Sequence, residues 1–155
     1  MSSFSEVAQI IDSYSEGPDY LGEVNPDEID AAEEKLGVRF PKSYRSFLER
    51  YGCGNLGCEI YGVGVPETGV PSVVWYTLSE REEEFIPEWM VIVCVEGEHV
   101  FCLDTSSFDE NEECKVVSWI LGLPFEAQPF RWTYASFVDF LHACVSSAIE
   151  EGWWG

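Results

Sequence analysis

The chain has 155 residues, of which 46% are hydrophobic and 15% aromatic, so it carries enough apolar material for one folded domain. Lys and Arg number 8 against 29 Asp and Glu, which gives a formal net charge of −21. This charge disfavours nucleic acid and anionic membranes as partners and favours a basic protein surface. An acidic surface that serves solubility alone is the other explanation.

Three helices are predicted in the first third of the chain. Residues 4–14 space their apolar side chains at helical intervals. A second helix begins after Asn25, its predicted N-cap, and ends at Gly37, which can adopt the left-handed conformation. A third begins at Pro41 and ends at Gly52, so the second and third form a helical hairpin or corner.

The middle of the chain is predicted to form turns and strands. Residues 73–76 are predicted as a strand, and 79–84 as a solvated helix or loop. The apolar runs 90–95 and 100–103 flank Glu96, Gly97 and Glu98, which is typical of a β-hairpin. An acidic loop at 109–113 precedes a predicted strand over 114–119. A long last helix is predicted from about Thr133, its expected cap, to Glu150.

The element order predicts an α+β fold in a single domain over 1–155, with its core from about 20 to 150. We expect a mostly antiparallel sheet packed by the N-terminal helical hairpin and the long C-terminal helix. The N-terminus lacks a basic segment followed by an apolar run, and no apolar run reaches the ~20 residues of a membrane helix. These features predict a cytoplasmic protein, whose six cysteines should stay reduced.

Residue types that often carry catalysis are sparse. Cys53 and Cys58 form a C-x₄-C pair without two further zinc ligands at short spacing, and the other cysteines lie in apolar stretches, so no metal is predicted. His99 and Cys102 have opposite parity on one strand and should face opposite ways. His142 is expected at the edge of an apolar stripe. Nucleotide-binding and hydrolase motifs are missing from the sequence, and no cofactor or catalytic residue is assigned.

The tryptophans fall into two groups. Four lie in apolar stretches and are predicted to be core residues: Trp75, Trp89, Trp119 and Trp132. Trp153 and Trp154 end the chain after two glutamates, and they either fold back on the domain or anchor a partner.

The candidate functional residues are acidic side chains expected in loops and turns, where binding residues concentrate. A solvated, repulsive surface is the alternative for each cluster. The predicted partner-binding set comprises Glu59, Glu80, Glu82, Glu83, Glu84, Glu96, Glu98, Asp109, Glu110, Glu112 and Glu113.

Residues 29–52 resemble the signature of the SUKH superfamily, which includes the yeast Smi/Knr cell-wall regulators and many bacterial immunity proteins. They comprise an acidic-rich helix ending Leu36-Gly37, a turn containing Pro41, Ser43 and Tyr44, and a helix closing before Gly52. Weaker similarity extends over roughly 20–145. Many members have Gly-Asp before the strand that contains Cys102, and this chain instead has Glu96-Gly97-Glu98-His99.

The resemblance implies a non-enzymatic α+β domain. In bacteria such domains are typically encoded beside toxins, often nucleases, and neutralise them. We therefore expect an immunity protein that binds a basic toxin, plausibly a nuclease, as a monomer or weak dimer. A Smi/Knr-like regulatory or scaffold module without a toxin partner is the alternative.

Overall fold

A computed structural model describes residues 3–154, which form five α-helices and one sheet of seven short strands. The helices are α1 (Phe4–Asp12), α2 (Pro26–Leu36), α3 (Lys42–Tyr51), α4 (Val73–Glu82) and α5 (Phe137–Glu150). The strands are β1 (Asp19–Tyr20), β2 (Gly54–Asn55), β3 (Glu59–Ile60), β4 (Met90–Glu96), β5 (His99–Asp104), β6 (Lys115–Ile120) and β7 (Thr133–Tyr134). The predicted α+β class is thus confirmed.

Local signals set the ends of the early helices. Asn25 Oδ1 accepts a hydrogen bond from the backbone N–H of Asp27 at 2.8 Å, which caps α2 as predicted. Gly37 ends α2 with a φ of 68°, a left-handed conformation that a residue with a Cβ adopts at a cost. Gly52 terminates α3.

The sheet is an antiparallel meander in which the seven strands follow one another in chain order. The predicted hairpin is confirmed: Glu96 pairs with His99 across the turn, and Met90 pairs with Asp104 at the far end. β6 then pairs along the whole of β5, from Ile120 opposite His99 to Lys115 opposite Asp104.

Both faces of the sheet are covered, as the continuous apolar runs in its strands predict. On one face, α1, α2, α3 and α5 pack over Val91, Phe101 and Leu103 to form the main core. On the other face, Ile92 and Cys102 lie in a smaller cluster beneath residues near positions 86 and 130. His99 and Cys102 therefore belong to opposite faces, as their parity predicts.

The predicted strand at residues 73–76 is wrong, because these residues form the first turn of α4. Ser72 Oγ accepts a hydrogen bond from the N–H of Trp75 and caps the helix. Val73, Val74 and Thr77 are buried at helical spacing. The helix then supplies what a neighbouring strand would: Thr77 Oγ1 accepts from the N–H of Ile92, along the stretch of β4 that β3 leaves unpaired.

Arg81 of α4 ties three elements together. Its Nη1 donates to the carbonyl of Leu36 at the end of α2 at 2.6 Å, and its Nη2 donates to the carbonyl of Met90 on β4 at 3.1 Å. A planar guanidinium suits this bridging geometry better than a flexible ammonium would. Burial lowers the pKa of Arg81 from its ordinary value.

The predicted start of the last helix is also wrong. Thr133 lies in β7, where it pairs with Val117, and the helix cap is Ser136, whose Oγ accepts from the N–H of Asp139. Sequence placed the boundary one short strand too early, because a two-residue strand leaves no periodic signal.

The expectation of six reduced cysteines is corrected: Cys58 and Cys144 form a disulfide across 86 positions of the sequence. The fold brings the turn after β2 against α5, with the two Cα atoms 5.8 Å apart. Gly57 makes this approach possible, because a Cβ there would lie 2.1 Å from the carbonyl oxygen of Cys144. The other four cysteines are free and buried.

Within residues 3–154, no helix combines the length and apolar character needed to cross a bilayer.

Candidate functional site

The first acidic cluster lies at the C-terminal end of α4. Glu82, Glu83 and Glu84 are exposed, whereas Glu80 is half-buried. Burial, reinforced by Glu83, raises the pKa of Glu80 above its ordinary value. Glu84 has a φ of 61°, so a carboxylate occupies a left-handed position that glycine would adopt at lower cost. The cluster thus keeps a carboxylate at Glu80 despite its burial and its acidic neighbour, and a carboxylate at Glu84 despite the left-handed backbone.

The second cluster lies at one end of the β4–β5 hairpin. Glu96 ends β4, Glu98 lies in the turn, and both are exposed; Glu59 lies on the adjacent strand β3. Burial first, and then the charges of Glu96 and Glu59, raise the pKa of the Cys94 thiol to about 12. Ile60 pairs with Cys94, so β3 holds Glu59 next to the hairpin strand β4 and in one cluster with Glu96 and Glu98.

The third predicted cluster, residues 109–113, is engaged with the domain itself. Glu113 is half-buried: its Oε2 accepts from the N–H of Ser43 at 2.9 Å, and its Oε1 accepts from the Ser43 hydroxyl at 2.7 Å. Pro41, at the N-cap of α3, makes no side-chain cap, so Glu113 caps this helix from 70 positions away. Glu112 lies 3.9 Å from Arg39, and one carboxylate oxygen of Asp109 accepts two backbone N–H groups of its own turn.

Four of the eight Lys and Arg side chains form ion pairs among the described residues, and these four lie in or between α2 and α3. Lys35 pairs with Glu67, Arg45 with Asp30 and Glu33, and Arg50 with Asp12, while Arg81 binds two carbonyls. Among residues 3–154, ten of the eleven predicted acidic residues make no ion pair, and Glu112 alone has a basic partner. Asp109 and Glu113 accept hydrogen bonds from the domain instead. The seven residues of the first two clusters make no ion pair: Glu59, Glu80, Glu82, Glu83, Glu84, Glu96 and Glu98. The carboxylates of the first two clusters therefore have no basic counter-charge among the described residues.

The prediction that four tryptophans are core residues holds for Trp119 alone, which is 2% exposed. Trp75, Trp89 and Trp132 are each more than a third exposed. Val74 and Met90, the apolar neighbours of Trp75 and Trp89, pack inward, and an amphipathic side chain can remain at the surface next to them. Trp153 and Trp154 have different surroundings. Trp154 packs on Tyr14 with ring centroids 5.4 Å apart, whereas Trp153 is 61% exposed.

Sequence reasoning missed a groove beside the second cluster. It has a volume of about 220 Å³ and lies between α5 and the end of the sheet that carries Glu96. Five of its eleven lining residues are aromatic, and the Cys58–Cys144 disulfide lies at one side. The exposed Trp132 and Trp153 both line it. The sequence shows only that Trp132 precedes β7 and Trp153 follows α5, and the fold brings these two residues to one groove. We call this feature the aromatic groove; its aromatic lining comprises Phe101, Trp132, Tyr134, Phe140 and Trp153.

Comparison with known proteins gives one family and a structural relative. A family model described as SMI1-KNR4 cell-wall (SUKH_5) matches residues 7–146, which is most of the chain. A protein from Pseudomonas syringae pv. tomato, known from its crystal structure, is similar with a TM-score of 0.61 at 15% identity, over 86% of this chain and 93% of that one. At that identity the likeness concerns the fold. The resemblance carried by residues 29–52 is confirmed, and the match begins at residue 7.

Proposed function

Because the chain belongs to the SMI1-KNR4 cell-wall family, we propose that it is a non-catalytic protein-binding module that occludes a cationic surface of its partner. The single observation that supports this is the charge distribution. Seven carboxylates at the α4 end and the hairpin end are unpaired among the described residues, while four of the eight Lys and Arg side chains are paired with acids in or beside α2 and α3. A domain with this charge distribution presents a preformed negative surface that is complementary to a basic partner.

The partner class that fits best is a toxin whose substrate is nucleic acid, which makes the chain an immunity protein. The groove of a nuclease is positive because phosphates are negative. An acidic domain can therefore occupy the groove in place of substrate. In this proposal the chain acts in the cytoplasm of the cell that makes the toxin, as a monomer or weak dimer.

Charge is expected to act mainly on the rate of association. Exposed charges steer encounter and raise the on-rate, and they are screened beyond about 8–10 Å at physiological ionic strength. Affinity should come mainly from a few desolvated anchors within the interface. The on-rate should therefore fall steeply between low and moderate salt, whereas the off-rate should change little.

The decisive experiment combines co-purification with the product of the adjacent gene and a rescue assay in cells that express that product. The combined variant Glu82→Gln, Glu83→Gln and Glu84→Gln should slow association and weaken rescue. A matched control, Glu6→Gln, Glu16→Gln and Glu23→Gln, removes three exposed charges from the N-terminal part of the chain. Equal on-rates for the two triple variants, or an on-rate independent of salt, would count against the proposal.

The family description also favours a second function, a Smi/Knr-like regulatory or scaffold module that binds cellular partners without a toxin. The neighbouring gene discriminates between the two: a large multidomain secreted protein favours immunity. The location is testable through the Cys58–Cys144 pair, because disulfides are rare in a reducing cytoplasm. Trapping of thiols by alkylation in intact cells reports the state of this pair.

A further inference from the structure

We propose that the aromatic groove is the receptor for an arginine side chain of the basic partner, with Glu96 as the carboxylate that pairs with its guanidinium. This inference rests on the proposed function and adds to it a specific anchor point. Net charge supplies long-range attraction, but it does not say where the partner is held. The aromatic groove is a place where apolar surface and an unpaired carboxylate meet.

The size of the aromatic groove favours a single side chain. Pockets that hold drug-sized ligands measure about 300–1,000 Å³, whereas this one has about 220 Å³. A cofactor or nucleotide would leave most of its surface outside. One long side chain projecting from a partner's surface suits a groove of this volume, and interface anchors of this kind fill pockets in the facing protein.

The walls of the groove select among possible side chains. Trp132 and Trp153 offer aromatic faces and remain substantially exposed. A guanidinium is planar and weakly hydrated, and it stacks on such faces, whereas an ammonium is compact and strongly hydrated. The molecule already uses this contact: the guanidinium carbon of Arg131 lies 4.5 Å from the Trp132 ring centroid, and that of Arg39 lies 4.0 Å from the Phe108 centroid. Because Arg131 already covers one face of Trp132, Trp153 is the main stacking surface for a partner's guanidinium.

Charge places the guanidinium at the Glu96 end of the groove. Glu96 lines the groove and makes no ion pair among the described residues. Its charge is felt by Tyr134 in the groove wall: burial first, and then the Glu96 carboxylate, raise the pKa of the Tyr134 phenol. A carboxylate accepts two parallel hydrogen bonds from a guanidinium, which adds geometric specificity to the attraction. A leucine or methionine anchor would leave this carboxylate without a partner.

The test uses the whole chain, labelled with ¹⁵N, and the probe Nα-acetyl-arginine amide. The indole N–H signals of Trp132 and Trp153 should shift saturably with a Kd of about 1 mM, as expected for a ligand of roughly 15 non-hydrogen atoms. Glu96→Gln and Trp153→Ala should each weaken binding about two- to fivefold, the upper range of an exposed ion pair and the range of an exposed cation–π contact, respectively. Glu98→Gln is the matched control: it removes an equal charge from the same turn, outside the groove lining.

Three results would overturn the proposal. These are equal binding of Nα-acetyl-leucine amide, an affinity unchanged by Glu96→Gln, and shifts confined to the backbone signals of residues 82–84. Trp153 lies after the last helix and is exposed, so its truncation should leave the thermal unfolding midpoint within about 2 °C, as expected of a surface substitution. If the chain neutralised a basic toxin but did not bind Nα-acetyl-arginine amide, the assignment of the aromatic groove would be wrong and the proposed function would stand. If the aromatic groove bound the arginine probe but no basic protein partner were found, the groove assignment would stand and the proposed function would be wrong.

Discussion

The capping of α3 by Glu113 can be tested by removing the carboxylate. Glu113→Ala leaves the N–H and the hydroxyl of Ser43 without their acceptor, and Ser43 is only 5% exposed, so water replaces the lost bonds poorly. Loss of a helix cap costs about 0.5–2 kcal/mol, and an unsatisfied buried donor costs about 1–3 kcal/mol. Relief of the burial that raises the pKa of Glu113 acts in the opposite direction. We expect a net loss of about 2 kcal/mol in the free energy of unfolding.

Urea unfolding followed by circular dichroism measures this loss, and the thermal midpoint should fall by about 4–8 °C for a domain of this size. Glu110→Ala is the control, since Glu110 is exposed in the same loop and accepts no hydrogen bond within the described residues. Glu113→Gln keeps an acceptor and loses the buried charge, so it should cost less than half as much. Equal stability of the Glu113→Ala and Glu110→Ala variants would refute the long-range cap.

Four further outcomes are expected. Glu84→Gly should raise the free energy of unfolding by about 1 kcal/mol, because it relieves a left-handed backbone, and yet slow association with a basic partner; a loss of stability would contradict the conformational argument. Glu80→Gln should stabilise the chain most near pH 7. The raised pKa means that the folded state holds this proton more tightly, so the gain should shrink as the pH falls through the raised pKa and vanish below the ordinary pKa of glutamate; a gain independent of pH in urea titrations would exclude this cause. Arg81→Lys should cost about 2 kcal/mol in urea unfolding, because one ammonium cannot span both carbonyls, and a neutral result would show that the bridge is dispensable. Under oxidising conditions, replacing both Cys58 and Cys144 by Ser should lower the free energy of unfolding by about 2–4 kcal/mol relative to the parent chain. Under reducing conditions the variant and the parent chain should be equally stable. A urea midpoint that is unchanged by the substitutions under oxidising conditions would argue against the bond.

The predicted acidic residues turned out to have different surroundings, although they share one chemistry. Glu82 and Glu113 look alike in sequence, yet one is exposed at a helix end and the other binds Ser43. A carboxylate's role depends on which donors lie within about 3 Å, and those donors come from residues far away in the chain. Sequence can therefore nominate acidic clusters, but it cannot sort free charges from structural ones.

The errors in local structure have a common cause. Residues 73–76 have the β-branched and aromatic composition of a strand, but the cap at Ser72 and burial against β4 make them helical. Intrinsic preferences amount to fractions of a kcal/mol per residue, so tertiary packing overrides them. The short strand β7 was missed because two residues carry no period.

The chain's composition and short-range patterns determined its net charge, the caps of α2, the hairpin of β4 and β5, and the family signature in residues 29–52. These properties depend on residues within a few positions of one another, or on no arrangement at all. Tertiary structure alone decided the Cys58–Cys144 bond, the Glu113 cap and the aromatic groove, each of which joins segments tens of residues apart. Such contacts form only when the sheet and helices are packed, because packing is what brings distant side chains within bonding distance.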